Sequence, residues 1–214
     1  MTFQAVIFDL DGTLVDSEGH ALRVGQSVFA EYGLELPEAT FRNMIGYDFQ
    51  HARRALREAF PETVPFDEID RLWRERSKAE FHRYGIPLRP QVTEVLEAIT
   101  AKGLPMAIAT ASRREVARLK IRKSGLGRYF QAVITREDVT IAKPSPEAYF
   151  RAAEALDLAP SACLAFEDSD PGTQAARAAG MTVVQIPDLA PASGHHANLI
   201  ASDLMEGARQ IGLL

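Results

Sequence analysis

The 214-residue chain has one cysteine, no apolar run of bilayer length and no excess of basic charge. A single cysteine excludes an internal disulfide. Its setting, Ala162-Cys163-Leu164-Ala165-Phe166, predicts a buried, inert thiol rather than a nucleophile. Without about 18 consecutive apolar residues, no membrane-crossing helix is expected. The N-terminus also lacks a basic segment followed by an apolar stretch and a cleavage site. These absences predict a soluble, cytoplasmic protein with no membrane partner. A formal charge of -5 argues against a nucleic-acid partner, whose footprint would be a net basic face. No internal repeat or low-complexity tract stands out.

What the chain does have begins at Asp9-Leu10-Asp11-Gly12-Thr13, where two carboxylates follow the apolar run Ala5-Val6-Ile7-Phe8. The run reads as a buried strand, and its carboxyl end is where open α/β sheets bind ligands. Gly12 allows the backbone to turn sharply. Two carboxylates so close repel each other, so the site needs a bound cation, a shared proton or a basic neighbour.

From Glu18 to about Tyr84 the signals are helical, with apolar stripes at Val24, Val28 and Phe29 and at Ile69, Leu72 and Trp73. Pro61, Pro65 and Pro87 punctuate this segment, and Gly85-Ile86-Pro87 reads as a return linker. Helix and strand signals then alternate. A helix carries Val92, Val95, Leu96 and Ile99, and a strand follows at Met106-Ala107-Ile108-Ala109. Next come a helix from Arg114 to Lys123, a strand Ala132-Val133-Ile134, and a helix from Pro146 to Leu156. The series closes with a strand from Cys163 to Phe166, a helix from Gly172 to Ala179 and a strand from Thr182 to Ile186. Residues 188–197 read as loop. The expected fold class is α/β: a Rossmann-like, doubly wound parallel sheet with a small α-helical cap inserted after the first strand. The boundaries expected are 1–16 and 86–214 for the core and 17–85 for the cap.

Four strand ends carry candidate chemistry: Asp9 and Asp11, then Thr110, then Lys143, then Glu167-Asp168. A parallel sheet brings all of them to one edge. A hydroxyl, a lysine and four carboxylates in one crevice suit phosphoryl transfer, which needs a metal and fixed cations around a charged group.

The segments Phe8-Asp9-Leu10-Asp11-Gly12-Thr13-Leu14-Val15-Asp16-Ser17, Ile108-Ala109-Thr110-Ala111-Ser112, Lys143-Pro144-Ser145-Pro146 and Glu167-Asp168-Ser169 occur in that order. Together they resemble the haloacid dehalogenase superfamily. The helical insertion resembles the branch that contains β-phosphoglucomutase and small-metabolite phosphatases. The resemblance implies that Asp9 is a nucleophile forming an aspartyl-phosphate and that Asp11 is the general acid and base. It implies that Mg²⁺ is held by Asp9, the Asp11 carbonyl and Asp168, with Glu167 assisting directly or through water. Thr110 and Lys143 would hold the phosphoryl group, with Gly12, Ala111 and Ser112 as further phosphate or substrate contacts. The partner implied is a small phosphorylated metabolite, such as a sugar phosphate, acted on by a monomer or homodimer.

The chain also departs from that family. Ser17-Glu18-Gly19-His20-Ala21 lacks the usual Pro and places its histidine one residue early, so His20 reads as an exposed residue at a helix start. Gly46 is followed by Tyr47-Asp48-Phe49, with no arginine to grip a second phosphate, which favours hydrolysis over a mutase reaction. Dehalogenation and a silent binding module rank below both. Arg53, Arg54 and Arg57 read as a solvated face, and Arg113 and Arg114 as exposed helix charges. Tyr47, Phe49 and Trp73 are assigned to the core rather than to the substrate side. Asp170-Pro171-Gly172 reads as a turn, with Asp170 a second choice for ordering a metal-bound water.

Overall fold

Runs of three to five apolar residues bounded by turn-formers are too short for helices, and they become the strands of one sheet. The protein is described by a computed structural model over residues 3–214. Its strands are β1 (Ala5–Phe8), β2 (Met106–Ala109), β3 (Ala132–Ile134), β4 (Cys163–Glu167), β5 (Thr182–Gln185) and β6 (Leu199–Ile200). All pairings are parallel, in the order β3-β2-β1-β4-β5-β6. The strand order reverses between β1 and β4, and the crevice outside their carboxyl ends is the expected ligand position of a doubly wound sheet.

Side chains alternate across the sheet. Val6, Phe8, Leu164, Phe166 and Val184 face one core with α5 (Val92–Ala101), α6 (Arg114–Lys123) and α9 (Leu204–Gln210). Ala5, Ile7, Ala107, Ala165 and Val183 face the other, against α7 (Glu147–Ala155) and α8 (Asp170–Ala178). The second face is alanine-rich, which lets those two helices approach the sheet closely. On the first face Phe8 and Phe166 stack at 5.2 Å between centroids, an arrangement worth about 0.5–1.5 kcal/mol beyond area burial. Cys163 is buried in the sheet, and burial pushes its thiol up to about 11, which keeps it protonated.

Between β1 and α5 lie α1 (Glu18–Glu31), α2 (Glu38–Arg42), α3 (Phe49–Ala59) and α4 (Phe66–Tyr84). They pack around their own core, which includes Val28, Phe29, Leu36, Phe41 and Ile69. The Trp73 indole N–H donates to the Ala21 carbonyl at 2.9 Å and so ties α4 to α1. The chain leaves and rejoins the sheet-bearing part through two adjacent strands of backbone. Val15 bridges Leu88, Asp16 N–H donates to Pro87 at 2.9 Å, and Arg89 N–H donates to Leu14 at 3.0 Å. Among the described residues no helix is long and apolar enough to cross a membrane.

Two sequence expectations change, and one stretch without an expectation proves structured. Asp170-Pro171-Gly172 is the first turn of α8 rather than a turn before it: Pro171 needs no N–H there, and the Ser169 hydroxyl caps the helix by accepting from Gly172 N–H at 3.3 Å. The helix expected from Pro146 to Leu156 runs from Glu147 to Ala155, with Pro146 as its N-cap. After the expected loop, β6 and α9 extend the fold. Strand β6 has two residues, too few to show a period, although Asp203 capping Glu206 N–H at 2.8 Å left a readable helix start.

Candidate active site

The buried Asp9 carboxylate stands at the end of β1, next to Glu167 and Asp168 at the end of β4. Lys143 reaches in behind them and donates to Asp9 Oδ1 at 2.6 Å and to Glu167 Oε1 at 2.5 Å. The Tyr149 hydroxyl donates to the same Glu167 oxygen at 2.9 Å. The other oxygen, Oε2, accepts from Asp168 N–H at 3.0 Å, from Ser169 N–H at 3.1 Å and from the Ser169 hydroxyl at 3.0 Å. Both Glu167 oxygens are therefore engaged. This carboxylate orients Lys143 and the backbone of Asp168, which suits an indirect place at a metal better than a direct one.

Asp11 turns to a different set of partners. Its Oδ2 accepts from the Ser112 hydroxyl at 2.6 Å, and its Oδ1 accepts from the Ser17 hydroxyl and the Lys120 ammonium. The repulsion expected between Asp9 and Asp11 is answered by one lysine for each.

The local field follows from burial and these partners. Burial is the largest influence on Asp9 and, with Glu167 and Asp11, raises it to about 7 against the pull of Lys143. Burial and the charges of Glu167, Asp9 and Glu18 hold Asp168 well above the carboxylate range. Burial also favours the neutral form of Asp11, but Lys120 and the hydrogen bonds from Lys120, Ser112 and Ser17 outweigh it and hold the carboxylate ionised. For Lys143 burial would favour the neutral amine; Asp9 and Glu167 reverse that and push the ammonium up.

Asp9, Glu167 and Asp168 each offer an oxygen within 4.8 Å of the others, and no histidine or cysteine joins them among the described residues. Asp168 Oδ2 is buried without a hydrogen-bond partner. A buried, unsatisfied carboxylate oxygen is costly unless a cation meets it. Gly12 has φ +76° and lies so close that a Cβ there would come within 2.7 Å of Asp168 Cγ. This oxygen-only donor set fits a hard divalent cation such as Mg²⁺.

The remaining predicted residues spread around this centre. Thr110, Ala111 and Ser112 line the adjoining cavity, with the Thr110 hydroxyl accepting from Ser112 N–H at 3.0 Å. Gly12 acts on Asp168 rather than lining the cavity. Asp170 is directed away from the carboxylates, accepting from Gln185 Nε2 at 2.9 Å and Ser193 N–H at 3.1 Å, so it has no metal-ordering place. His20 is not exposed: its ring lies 4.5 Å from that of Phe81, and burial lowers its pKa.

The cavity, about 610 Å³, runs from Asp9 and Asp168 up between the helices of the inserted segment. Tyr47, Phe49 and Arg53 line it, contrary to their assignment to core and solvated face, and Trp73, which packs on the core of the inserted helices as expected, lines it as well. The Arg74 and Arg113 guanidinium carbons lie 4.9 and 4.8 Å from the Phe49 ring centre. Lys120 was missed in the sequence, although a signal exists. Arg114, Arg118 and Arg122 repeat every four residues along one face of α6, whereas Lys120 is out of phase with them and shares the buried side with Ala117.

Residues 6–186 match the haloacid dehalogenase-like hydrolase family. The chain belongs to that family and is a phosphohydrolase. It is 30% identical over 178 residues to the phosphorylated carbohydrates phosphatase of Thermotoga maritima, covering 83% of this chain and 82% of the relative. The structure of a haloacid dehalogenase-family hydrolase from Deinococcus radiodurans, with bound phosphate and sodium, superimposes with a TM-score of 0.79 at 31% identity. That match covers 99% of this chain and 97% of the other. CbbY from Rhodobacter sphaeroides, in complex with phosphate, gives 0.81 at 26% identity over 94% of this chain and 95% of the other.

Proposed function

We propose that the protein is a Mg²⁺-dependent phosphatase that hydrolyses a small phosphomonoester through an aspartyl-phosphate on Asp9. The observation that carries this reading is the buried group of Asp9, Lys143 and Asp168, with an unpartnered Asp168 oxygen at the switch point of the sheet. Phosphate and sodium bound to the Deinococcus relative support the same chemistry.

Asp9 and Asp168 would hold Mg²⁺ together with the Asp11 carbonyl, and Glu167 would steady them. When bound, the ion supplies charge neutralisation for the phosphoryl oxygens. An Asp9 carboxylate oxygen forms the new bond to phosphorus as the ester oxygen departs, and Asp11 gives that oxygen a proton. Water then breaks the Asp9–phosphorus bond while Asp11 takes the proton back. In the arrangement seen, Asp11 is held ionised, ready for the second step, so the first requires its release from Lys120. Residues 17–85 serve as the cap, excluding bulk water while the ester is bound. Hydrolysis is favoured over a mutase reaction because Arg53 and Arg74 in the cap are already paired with Asp67 and Asp70.

The test is phosphate release with Mg²⁺ and with EDTA, for the native chain and for Asp9→Asn. Release should be EDTA-sensitive and restored by Mg²⁺. The variant should keep its unfolding temperature but lose turnover by about 10³-fold or more. A folded Asp9→Asn with near-native turnover would overturn the assignment.

A further inference from the structure

The floor of the cavity is polar, around Asp9, Asp11, Glu18, Ser112 and Lys120, whereas the inserted helices cover it with mostly apolar side chains among which Tyr47, Arg53, Asp70, Arg74 and Ser77 are interspersed. Phe41, Met44, Ile45, Leu56, Phe66 and Ile69 back the roof from the inserted segment's own core, and the half-buried Phe49 and Trp73 present the apolar surface to the cavity. Several of the cavity's polar atoms are spent on protein partners, although Tyr47, Ser77 and Arg113 keep theirs for the cavity. The Trp73 N–H donates to Ala21 at 2.9 Å, and Asp48 accepts from His51 N–H at 3.0 Å and from Arg136 Nε at 2.9 Å. Asp70 pairs with Arg74 at 2.6 Å, and Arg53 pairs with Asp67. Arg53 Nε is a buried donor without a partner, so a single acceptor can be answered there.

We infer that the cavity accepts a phosphomonoester whose leaving alcohol carries an apolar, ring-sized body rather than a polyol. The inference rests on the phosphatase reading and names its substrate class. A sugar brings several hydroxyls into a roof with little to offer them, and each one left unpaired costs about 1–3 kcal/mol. An apolar ring loses no hydrogen bonds there and gains burial against the half-buried Phe49 and Trp73. The floor accounts for the phosphoryl group in either case, so discrimination lies in the leaving group. In this respect the chain is set apart from the relative named for phosphorylated carbohydrates.

The experiment compares kcat/KM of the native chain with Mg²⁺ for 2-phenylethyl phosphate and erythritol 4-phosphate. Both are esters of primary alcohols of similar bulk. Acetyl phosphate, too small to fill the roof, reports hydrolysis itself. A preference of about 30-fold or more for the phenylethyl ester is expected. Phe49→Ser, at a half-buried position, should raise KM for that ester about fivefold or more. A ratio near one or favouring the polyol, with acetyl phosphate hydrolysed, overturns the substrate class and leaves the phosphatase reading standing. An unchanged KM in folded Phe49→Ser also overturns the substrate class. No release from either ester or from acetyl phosphate, an acyl phosphate, overturns both readings together.

Discussion

Glu18, the first residue of α1, places a carboxyl in the cavity beside Asp11. Burial is the main reason its pKa is raised from 4.5 to about 8, and Asp11, Asp188 and Asp9 add to it against Lys120. A folded-state pKa above the unfolded one means that the folded protein keeps a proton the unfolded chain has lost. The resulting stability is full below the unfolded pKa and declines as pH rises towards the folded value. In EDTA the native chain should lose stability from about pH 5 to about pH 8, and Glu18→Gln should lose about 1 kcal/mol or more less over that range. Thermal melts of both proteins across that range decide it; parallel curves would remove Glu18 as the cause. Such effects are invisible in a sequence, where Glu18 is one acidic residue at a helix start. Asp9, Thr110, Lys143 and Asp168 are easier to find because each follows a short apolar run or lies in a Gly or Pro turn. Their convergence needs only the strand order. Lys120 has no such punctuation and lies among arginines that conceal it.

At the scale of elements, the inserted helices depend on one close crossing. Gly25 of α1 faces α4, where a Cβ would come within 2.6 Å of Trp73 Cε2 and 2.9 Å of Leu36 Cδ2. Moving Trp73 aside would also break its hydrogen bond to Ala21. Gly25→Ala should therefore cost about 1–3 kcal/mol, seen as an earlier thermal or urea transition; an unchanged midpoint would show that the indole relocates freely. The elements themselves are legible where a period runs long enough, as at Val92, Val95, Leu96 and Ile99 on α5. Misreadings fall where it does not. Asp170-Pro171-Gly172 has the composition of a turn but begins α8 because Ser169 caps it, and the two-residue β6 is too short to draw any expectation. Phe49 was unreadable for another reason: an aromatic residue on an amphipathic helix looks the same from the sequence whether it faces a core or a cavity.

Across the whole molecule, the inserted helices meet the sheet-bearing part through few polar contacts. Arg136, just beyond β3, donates to Asp48 at 2.9 Å, and Asp48 also caps α3. Lys78 of α4 pairs with Glu115 of α6, and Arg113 stacks on Phe49. The Arg136 pair is the more sheltered of the two salt bridges, with side chains 26% and 13% exposed against 52% and 77% for Lys78 and Glu115, so it carries more of the closed arrangement. Arg136→Ala should raise KM about three- to tenfold with a smaller change in kcat, because the loss falls on holding the cap over bound ester rather than on the reacting groups. Steady-state kinetics separates the two; a fall in kcat alone would place Arg136 in the chemistry instead.

The central position of β1 also has a consequence for how the chain is made. It pairs with β2 on one side and β4 on the other, and β4 ends at Glu167. During synthesis Asp9 and Asp11 emerge well over a hundred residues before Lys143 and the second flank of β1. Until they arrive, β1 presents an open edge of Ala5-Val6-Ile7-Phe8, the kind of surface on which nascent chains associate wrongly. A ribosome-stalled fragment ending before Lys143 would hold Asp9 without its lysine, and the group of Asp9, Lys143 and Asp168 would come together only once β4 had emerged.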